Sequence, residues 1–254
     1  MQSCASVRDM IVPGKRAGHA HLGGIAHRIA SPRLELELWM ADLDVGAGAT
    51  RDCARLLSTD ERARAEQFRY IRDRRRFIVA RGALRTLLAD YLNVAPASIA
   101  FSYAPHGKPF VATDAVPLYF NLSHSAERAI FAISRHYPLG TDIEFLQRDI
   151  DWRGLAARFF SPGERAALEK LPAADRQCAF FSCWTRKEAA VKAVGGGLSL
   201  PLSKCEVCTS TPANDPVSIS MHGKILSVQE VDVGPDCVAA VALQMEAAAD
   251  ATAR

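Results

Sequence analysis

The stretch LGTDIEF, residues 139 to 145, places two carboxylates inside a strand that otherwise reads as buried. Leu139, Ile143 and Phe145 are apolar, whereas Asp142 and Glu144 are acidic. Side chains two residues apart on a strand point to the same face, so these two carboxylates converge. A buried like-charged pair is costly unless a positive group compensates it. The stretch therefore predicts a strand whose carboxylates meet a cation.

Length and composition indicate a globular chain with a substantial core. The chain has 254 residues, 49% hydrophobic and 23% charged, which is enough for one large or two modest domains. Its net charge of +3 is too mild to indicate a nucleic-acid-binding protein, and no stretch approaches the ~20 apolar residues that span a bilayer. The seven cysteines are scattered and odd in number, which indicates reduced thiols and a cytoplasmic location.

The chain divides into two predicted lobes between flexible ends. The predicted bounds are 1–30 for an N-terminal extension, 31–118 for an N-terminal lobe, 119–246 for a C-terminal lobe with the metal site, and 247–254 for a tail. Disorder explains His19, His21 and His27 in the extension better than a metal site does. The lone CxxC of Cys205 and Cys208 is weak evidence for zinc.

Each lobe combines predicted strands with predicted helices. LELELWMADL, from Leu34, alternates as a half-buried strand does; the other predicted strands are SIAFSY, LYFNLSHS, RAIFAIS, LGTDIEF, KCEVCTS, VSISM, KILSVQEV and CVAAVALQM. The predicted helices follow the N-cap signals at Ser58 and Ser161, or run over 77–92 and 177–194. The fold class is therefore α/β (α+β), with two similar lobes and a ligand cleft between them.

A second group of charged residues lies on the helix predicted over 177–194. Glu188 and Lys192 are four residues apart and share a face, as an ordinary surface ion pair would. Trp184 and the glycines that follow indicate a more buried setting. Asp142, Glu144 and Glu188 together would supply three hard oxygen ligands, which suit Mg²⁺, and a lysine beside them suits a bound phosphate.

The strand FNLSHS brings hydrogen-bond donors to the same lobe. Ser123 and His124 at its end, with Lys108 upstream, could meet phosphate oxygens. A Ser/His hydrolase is the rival interpretation, but FNLSHS lacks nucleophile-elbow glycines and no third triad member is identifiable. The arginine-rich stretch from Arg62 to Arg85 is either a solvated helix face or a local anion site.

Five motifs in order carry a family resemblance. They are GKP at 107–109, FNLSHS at 120–125, GTDIE at 140–144, FFSPGE at 159–164 and WTRKEAAVKAVGGGLSLPL at 184–202. The sequence resembles the 4′-phosphopantetheinyl transferases, specifically the long, surfactin-synthetase-activator (Sfp) type. The match spans roughly Arg76 to Val207, and the outer segments fit only in their general layout.

The resemblance implies a pseudo-twofold fold with the active site in the cleft between the lobes. It also implies transfer of phosphopantetheine from coenzyme A to a serine of an apo acyl or peptidyl carrier protein, with Mg²⁺ as cofactor and adenosine 3′,5′-bisphosphate as product. The resemblance assigns Asp142, Glu144 and Glu188 to the metal; Glu188, Lys192 and His124 to catalysis; and Arg76, Arg81, Lys108, Pro109, Ser123, His124 and Lys192 to coenzyme A.

The resemblance also bears on partners and on rival functions. The long type carries both lobes in one chain, which implies a monomer, with neither nucleic acid nor a membrane as partner. It leaves the carrier protein unspecified and gives the first thirty residues no counterpart. The alternatives are a metal-dependent phosphoesterase that uses the same carboxylates, and an inactive coenzyme A-binding module.

Overall fold

The computed structural model of the protein describes residues 25–31, 35–111, 117–146, 150–197, 200–207 and 215–245. The strands are β1 Ala26–Ile29, β2 Leu36–Asp42, β3 Phe101–Tyr103, β4 Pro109–Val111, β5 Tyr119–Ser125, β6 Arg128–Ser134, β7 Leu139–Phe145, β8 Val217–Met221, β9 Lys224–Val231 and β10 Cys237–Met245. The helices are α1 Ala47–Leu56, α2 Thr59–Glu66, α3 Ile71–Leu92, α4 Trp152–Phe159, α5 Pro162–Lys170 and α6 Arg176–Val194, with 3₁₀ turns at Pro96–Ser98 and Leu202–Lys204.

Two four-stranded antiparallel sheets form the centre of the molecule. Their strand orders are β1-β2-β6-β5 and β7-β10-β9-β8, and β3 and β4 form a separate ribbon. In the first sheet, β2 precedes helices α1 to α3, and the later strand β6 pairs with it. In the second sheet, β7 precedes helices α4 to α6, and the last strand, β10, pairs with it. The two lobes therefore repeat one topology, which confirms the predicted fold class.

The alternation along β6 explains how the layers pack. Phe131 and Ile133 belong to the core that α3 covers, whereas Ile130 and Ala132 belong to a core shared with the second sheet. The far side of the second sheet packs on α6 in a third core. The strand predicted for LELELWMADL is confirmed as β2, but its half-buried character is not, because β2 lies between α3 and the second sheet and most of it is buried.

The second helix of each three-helix run begins with the same sequence device. Residues 58–63 read STDERA and residues 161–166 read SPGERA. In both, the serine and the glutamate three residues later form a reciprocal capping box. Each buried glutamate also meets cations of its lobe's long helix: Arg81 and Arg85 on α3 surround Glu61, and Lys187 on α6 meets Glu164. The predicted helix starts at Ser58 and Ser161 are confirmed.

The strand pairing moves the boundary between the lobes. Strands β5 and β6 pair with β2 and its sheet although they follow residue 118, so we propose that the boundary lies between β6 and β7. Residues 26–29 form β1 on β2, so they belong to the first sheet and not to a flexible extension. Most of the predicted extension, including His19 and His21, and the tail at 247–254 lie outside the described residues.

The long helices carry two further differences. Helix α3 begins at Ile71, six residues before the predicted start, because the solvent-facing turn IRDRRR shows no apolar periodicity. Helix α6 ends as predicted, at Gly195 with φ +78°. None of the described helices is long and apolar enough to cross a membrane.

The strand predicted for KCEVCTS is wrong over residues 204–207; residues 208–210, with Cys208, lie outside the described part. Carbonyl oxygens of this region accept from a buried lysine instead of from a neighbouring strand. The Lys187 ammonium donates to the carbonyls of Leu202 at 2.8 Å and of Cys205 at 2.5 Å.

Candidate active site

The two lobes meet along β5 and β7, which belong to different sheets. Asn121, Ser123 and Ser125 alternate along β5, so they share one face, and all three bond to β7. The bonds of this β5–β7 seam run from the Thr141 N–H to Asn121 Oδ1 at 2.9 Å, from Ser123 Oγ to Asp142 Oδ1 at 2.8 Å, and from Ser125 Oγ to Glu144 Oε2 at 2.8 Å. The two carboxylates of LGTDIEF therefore meet donors from the other lobe.

A glycine allows helix α6 to approach this strand. A Cβ on Gly140 would lie 2.2 Å from the carbonyl oxygen of Ala189 and 2.3 Å from the amide nitrogen of Ala193. Both contacts are with backbone atoms, which cannot turn aside as a side chain can. Gly140 thus brings Glu188 and Lys192 of α6 beside Asp142 of β7.

Lys192 supplies a positive group for the buried carboxylate. Its ammonium donates to Asp142 Oδ1 at 2.6 Å and to Ser123 Oγ at 2.9 Å. Asp142 is only 5% exposed, so its carboxylate is shielded from water, whereas the Lys192 side chain is partly exposed. The surface pair between Glu188 and Lys192 considered from the sequence is replaced by a partly buried Lys192–Asp142 pair.

Two carboxylate oxygens at this place are buried without a partner. Asp142 Oδ2 and Glu188 Oε1 make no hydrogen bond among the described residues. Burial, then the negative charge of Asp142 and, more weakly, that of Glu144, raise the pKa of Glu188, while Lys192 opposes the rise. Orphaned hard oxygens are the donors that Mg²⁺ prefers, so these residues fit such an ion.

The predicted metal set is not fully assembled. Across the described residues, no three His, Cys, Asp or Glu side chains are already grouped as a metal site. Glu144 bonds to Ser125 and lines a different cavity from Glu188. The assignment of Asp142, Glu144 and Glu188 to a metal therefore stays a prediction.

Two cavities open at the seam. The first, of about 540 Å³, is lined by Phe68, Arg72, Asp73, Arg76, Phe77, His124, Ser125, Ala126, Glu127 and Glu144. The second, of about 460 Å³, is lined by His106, Gly107, Lys108, Pro109, Asn121, Glu188, Val191, Lys192, Gly195 and Gly197. Both lie within the size range of small-molecule sites, and together they contain most of the predicted site residues.

Arg76 lies in the first cavity, but acidic residues hold it there. Its Nε and Nη2 donate to the two carboxylate oxygens of Asp44 at 2.8 and 2.7 Å, and Glu127 lies 3.6 Å away. The hydrogen bond to Arg76 lowers the pKa of Asp44. No sequence pattern pointed to Asp44 or Glu127, because each lies in a short connection and meets Arg76 only through the fold.

His124 lies exposed at the rim of the first cavity. The protein around the imidazole, and then the positive charges of Lys192 and Arg76, lower the pKa of His124. The ring is therefore neutral near pH 7, with one nitrogen able to donate and the other able to accept.

The hydrogen bonds of Ser123 do not support its predicted phosphate contact. An ammonium can only donate, so Ser123 Oγ accepts from Lys192 and its own proton goes to Asp142. The hydroxyl therefore has no proton left for a phosphate oxygen in this arrangement. Ser123 joins Asp142 to Lys192 instead.

Lys108 also differs from its predicted role at a phosphate. Its ammonium donates to the carbonyls of Leu139 at 2.7 Å and Lys192 at 2.6 Å, at the start of β7 and near the end of α6. A lysine that binds a helix-terminal carbonyl acts as a cap. Lys108 and Pro109 do line the second cavity, so the GKP turn forms part of its wall.

Lys108 gives a pH-dependent prediction. Burial lowers its pKa from 10.5 to about 8. Between pH 8 and 10.5 the unfolded chain binds more protons at this lysine than the folded one, so the free energy of unfolding rises with pH. We therefore expect the free energy of unfolding of the parent, minus that of Lys108→Met, to increase from pH 8 to pH 10.5. Urea titrations at several pH values measure this difference. A pH-independent difference would contradict the assignment.

Arg81 does not belong to the site. Its Nε donates to Glu61 Oε1 at 2.8 Å, its guanidinium lies 4.4 Å from the Phe101 ring centre, and it is 6% exposed. It lines neither cavity. This placement does not support its predicted role at coenzyme A, because the capping-box glutamate already holds the guanidinium inside the N-terminal lobe.

Comparison with known proteins gives matches over both lobes. A family model described as the 4′-phosphopantetheinyl transferase superfamily matches residues 138–241, and one described as 4′-phosphopantetheinyl transferase, N-terminal, matches residues 49–136. The chain is 39% identical to the 4′-phosphopantetheinyl transferase HetI of Nostoc sp. over 211 residues, which cover 82% of this chain and 87% of HetI. It is 32% identical to psf-1 of Bacillus pumilus, over 76% of this chain and 82% of the relative. It is also 32% identical to a Bacillus subtilis 4′-phosphopantetheinyl transferase, over 65% and 72%.

Proposed function

The chain belongs to the 4′-phosphopantetheinyl transferase superfamily, and we propose that it transfers 4′-phosphopantetheine from coenzyme A to a serine of an apo acyl or peptidyl carrier protein. The carrier serine oxygen bonds to the β-phosphorus of coenzyme A. The bond from that phosphorus to the bridging oxygen breaks, and adenosine 3′,5′-bisphosphate leaves. The serine proton passes to a base of the enzyme.

The observation that carries this proposal is the set of charges at the β5–β7 seam. Asp142, whose carboxylate pairs with the ammonium of Lys192, and Glu188 each keep one buried carboxylate oxygen without a partner among the described residues. Glu188 and Lys192 line the second cavity, and Glu144 lines the first. Transfer of a phosphoryl-type group depends mainly on positioning and charge neutralisation. The Lys192 ammonium, together with carboxylates that can hold a metal ion, is suited to both.

We propose that Asp142, Glu144 and Glu188 hold Mg²⁺. When bound, the ion would neutralise pyrophosphate charge and make the attacked phosphorus more electrophilic. The unpartnered oxygens of Asp142 and Glu188 support this assignment. For Glu144 the support is its position two residues from Asp142 on β7, facing the same seam.

Lys192 and Glu188 have complementary roles in the proposal. Lys192 is 28% exposed, so its ammonium can turn from Asp142 toward a phosphate oxygen and offset the charge of the leaving group. Glu188 lines the second cavity, and its raised pKa suits a group that takes the carrier serine proton, directly or through water.

Coenzyme A would occupy the two cavities at the seam. We propose that Arg76 and His124 bind phosphate oxygens in the first cavity, and that the backbone of the GKP turn at Lys108 and Pro109 contacts the adenine side in the second. Arginine suits the phosphate because its planar guanidinium donates two parallel hydrogen bonds. A phosphate there would share Arg76 with Asp44.

The proposed form is the long Sfp type, acting as a monomer. One chain contributes both β5 and β7 to the seam, so no second subunit is needed to complete the described site. The described cysteines at 53, 178, 183, 205 and 237 form no disulfide, which fits the proposed reducing, cytoplasmic environment. The carrier, and the fatty-acid, polyketide or nonribosomal-peptide route it serves, stay open.

Arg76→Ala tests our proposal that Arg76 binds the 3′-phosphate of coenzyme A, the role that the family resemblance implies for it. We expect the variant to bind coenzyme A roughly 10–100-fold more weakly, because a hydrogen bond to a charged group contributes about 1.5–3 kcal/mol. The affinity for dephospho-coenzyme A, which lacks the 3′-phosphate, should change little. Titration calorimetry measures both ligands, and Arg74→Ala, on the same helix but outside the cavities, is the matched control. Equal losses for the two ligands would remove the assignment.

Release of adenosine 3′,5′-bisphosphate tests the reaction class. Chromatography should detect it only when coenzyme A, Mg²⁺ and an apo carrier are all present. Breakdown of coenzyme A without a carrier would favour the metal-dependent phosphoesterase. Binding of coenzyme A without any product, across fatty-acid, polyketide and peptide carriers, would favour an inactive binding module.

A further inference from the structure

Ser125 is a seam residue whose hydroxyl has a fixed direction. The Phe145 N–H donates to Ser125 Oγ at 3.2 Å, and Ser125 Oγ lies 2.8 Å from Glu144 Oε2. An ionised carboxylate can only accept, so the serine proton points at Glu144. Ser125 is 5% exposed, which keeps water from competing for this bond.

The same arrangement occurs one step along both strands. Ser123, two residues before Ser125, directs its proton to Asp142, two residues before Glu144. Because side chains two residues apart on a strand share a face, each serine of β5 lies opposite one carboxylate of β7. The first pair also includes Lys192, whereas the second is closed by the main-chain N–H of Phe145. The seam thus orients both carboxylates of the LGTDIEF strand.

Such a bond matters because a glutamate side chain is flexible. Fixing its rotamers costs conformational entropy, and a carboxylate held in advance spares a bound cation part of that cost. Glu144 also lines the first cavity, whose wall includes Glu127, and the like charge of Glu127 acts to repel its carboxylate. The hydroxyl of Ser125 opposes that displacement.

We propose that Ser125 is a positioning residue that holds the Glu144 carboxylate for a divalent cation and thereby raises the cation affinity of the seam. The proposal rests on the proposed role of Glu144 as a metal ligand. Partners of metal ligands typically contribute 10–100-fold in metal affinity. Although Ser125 lines the first cavity, its hydroxyl is engaged by Glu144 and the Phe145 N–H, so in this proposal it acts through Glu144 and not on the coenzyme.

Direct Mn²⁺ binding in the presence of coenzyme A and without carrier tests this role, with calorimetry as the readout. Ser125→Ala is expected to weaken Mn²⁺ binding about tenfold or more while coenzyme A binding in EDTA stays within twofold. Ser125→Thr retains the hydroxyl and should recover most of the Mn²⁺ affinity.

Ser134→Ala is the matched control. Ser134 is also buried, and its hydroxyl oxygen accepts the N–H groups of His136 and Tyr137, neither of which involves a carboxylate. Its removal should lower the free energy of unfolding comparably and leave Mn²⁺ affinity unchanged. Urea titration of both variants measures the loss of stability.

The outcomes separate the proposal from the function on which it rests. Parent-like Mn²⁺ affinity in Ser125→Ala would overturn the role of Ser125, and so would equal losses of Mn²⁺ affinity in Ser125→Ala and Ser134→Ala. In either case the parent would still modify carriers, and the proposed function would stand. A parent that modifies carriers yet binds no Mn²⁺ would overturn the metal assignment together with Ser125. A parent that modifies no carrier contradicts the proposed function itself.

Discussion

Replacement of Asp142 by asparagine is expected to lower the transfer rate roughly 10³-fold or more, because stabilisation by a bound metal ion contributes several kcal/mol. Asparagine keeps the shape of the side chain and can still accept from Ser123. Lys192, 28% exposed, can turn toward water, so no uncompensated charge is left deep in the protein. The fold should therefore persist, as measured by circular dichroism and urea unfolding.

Asp52→Asn is the matched control for Asp142. Asp52 is exposed on α1 and pairs with Arg55, outside both cavities. Its replacement should leave the rate within about twofold, since exposed ion pairs contribute little. Full activity of Asp142→Asn at saturating Mg²⁺ would remove Asp142 from the site.

Gly140→Ala is expected to cause the largest loss of stability. The added Cβ would meet backbone atoms of Ala189 and Ala193 at 2.2 and 2.3 Å, so β7 and α6 would have to separate. Overpacking of this kind costs roughly 3 kcal/mol or more where backbone must move. Separation would also carry Glu188 and Lys192 away from Asp142, so activity should fall with stability.

Gly48→Ala provides the contrast. Gly48 lies in α1 and has nothing within 4 Å of an added Cβ. Alanine should raise the free energy of unfolding by roughly 0.5–1 kcal/mol through its higher helix propensity. Urea unfolding of Gly140→Ala and Gly48→Ala measures the two changes in the free energy of unfolding. A Gly140→Ala protein as stable and active as the parent would show that α6 does not depend on close approach to β7.

Local patterns were sufficient for most elements of the fold. The capping signals at Ser58 and Ser161 start helices, and Gly195 ends α6, because these residues act through their own neighbours. The lobe boundary needed long-range information, since only strand pairing shows that β5 and β6 complete the first sheet. The repeated STDERA and SPGERA could have revealed the duplication directly from the sequence.

The site was predictable where spacing alone determines proximity. Asp142 and Glu144 face one seam because they are two apart on a strand. Lys192 meets Asp142 because Gly140 admits the helix. Charge alone does not tell which arginine reaches a cavity: Arg76 does, whereas Arg81, five residues later on α3, meets Glu61 in the interior. Lys108 likewise binds carbonyls that only the assembled lobes bring together.

Intact-mass spectrometry of an apo carrier protein tests the central claim most directly. The carrier is incubated with this chain, coenzyme A and Mg²⁺, alongside an EDTA control and a carrier whose acceptor serine is alanine. The account predicts a mass gain of one phosphopantetheine that is absent in both controls. No gain on any of several carrier types, with protein shown to be folded, would contradict it.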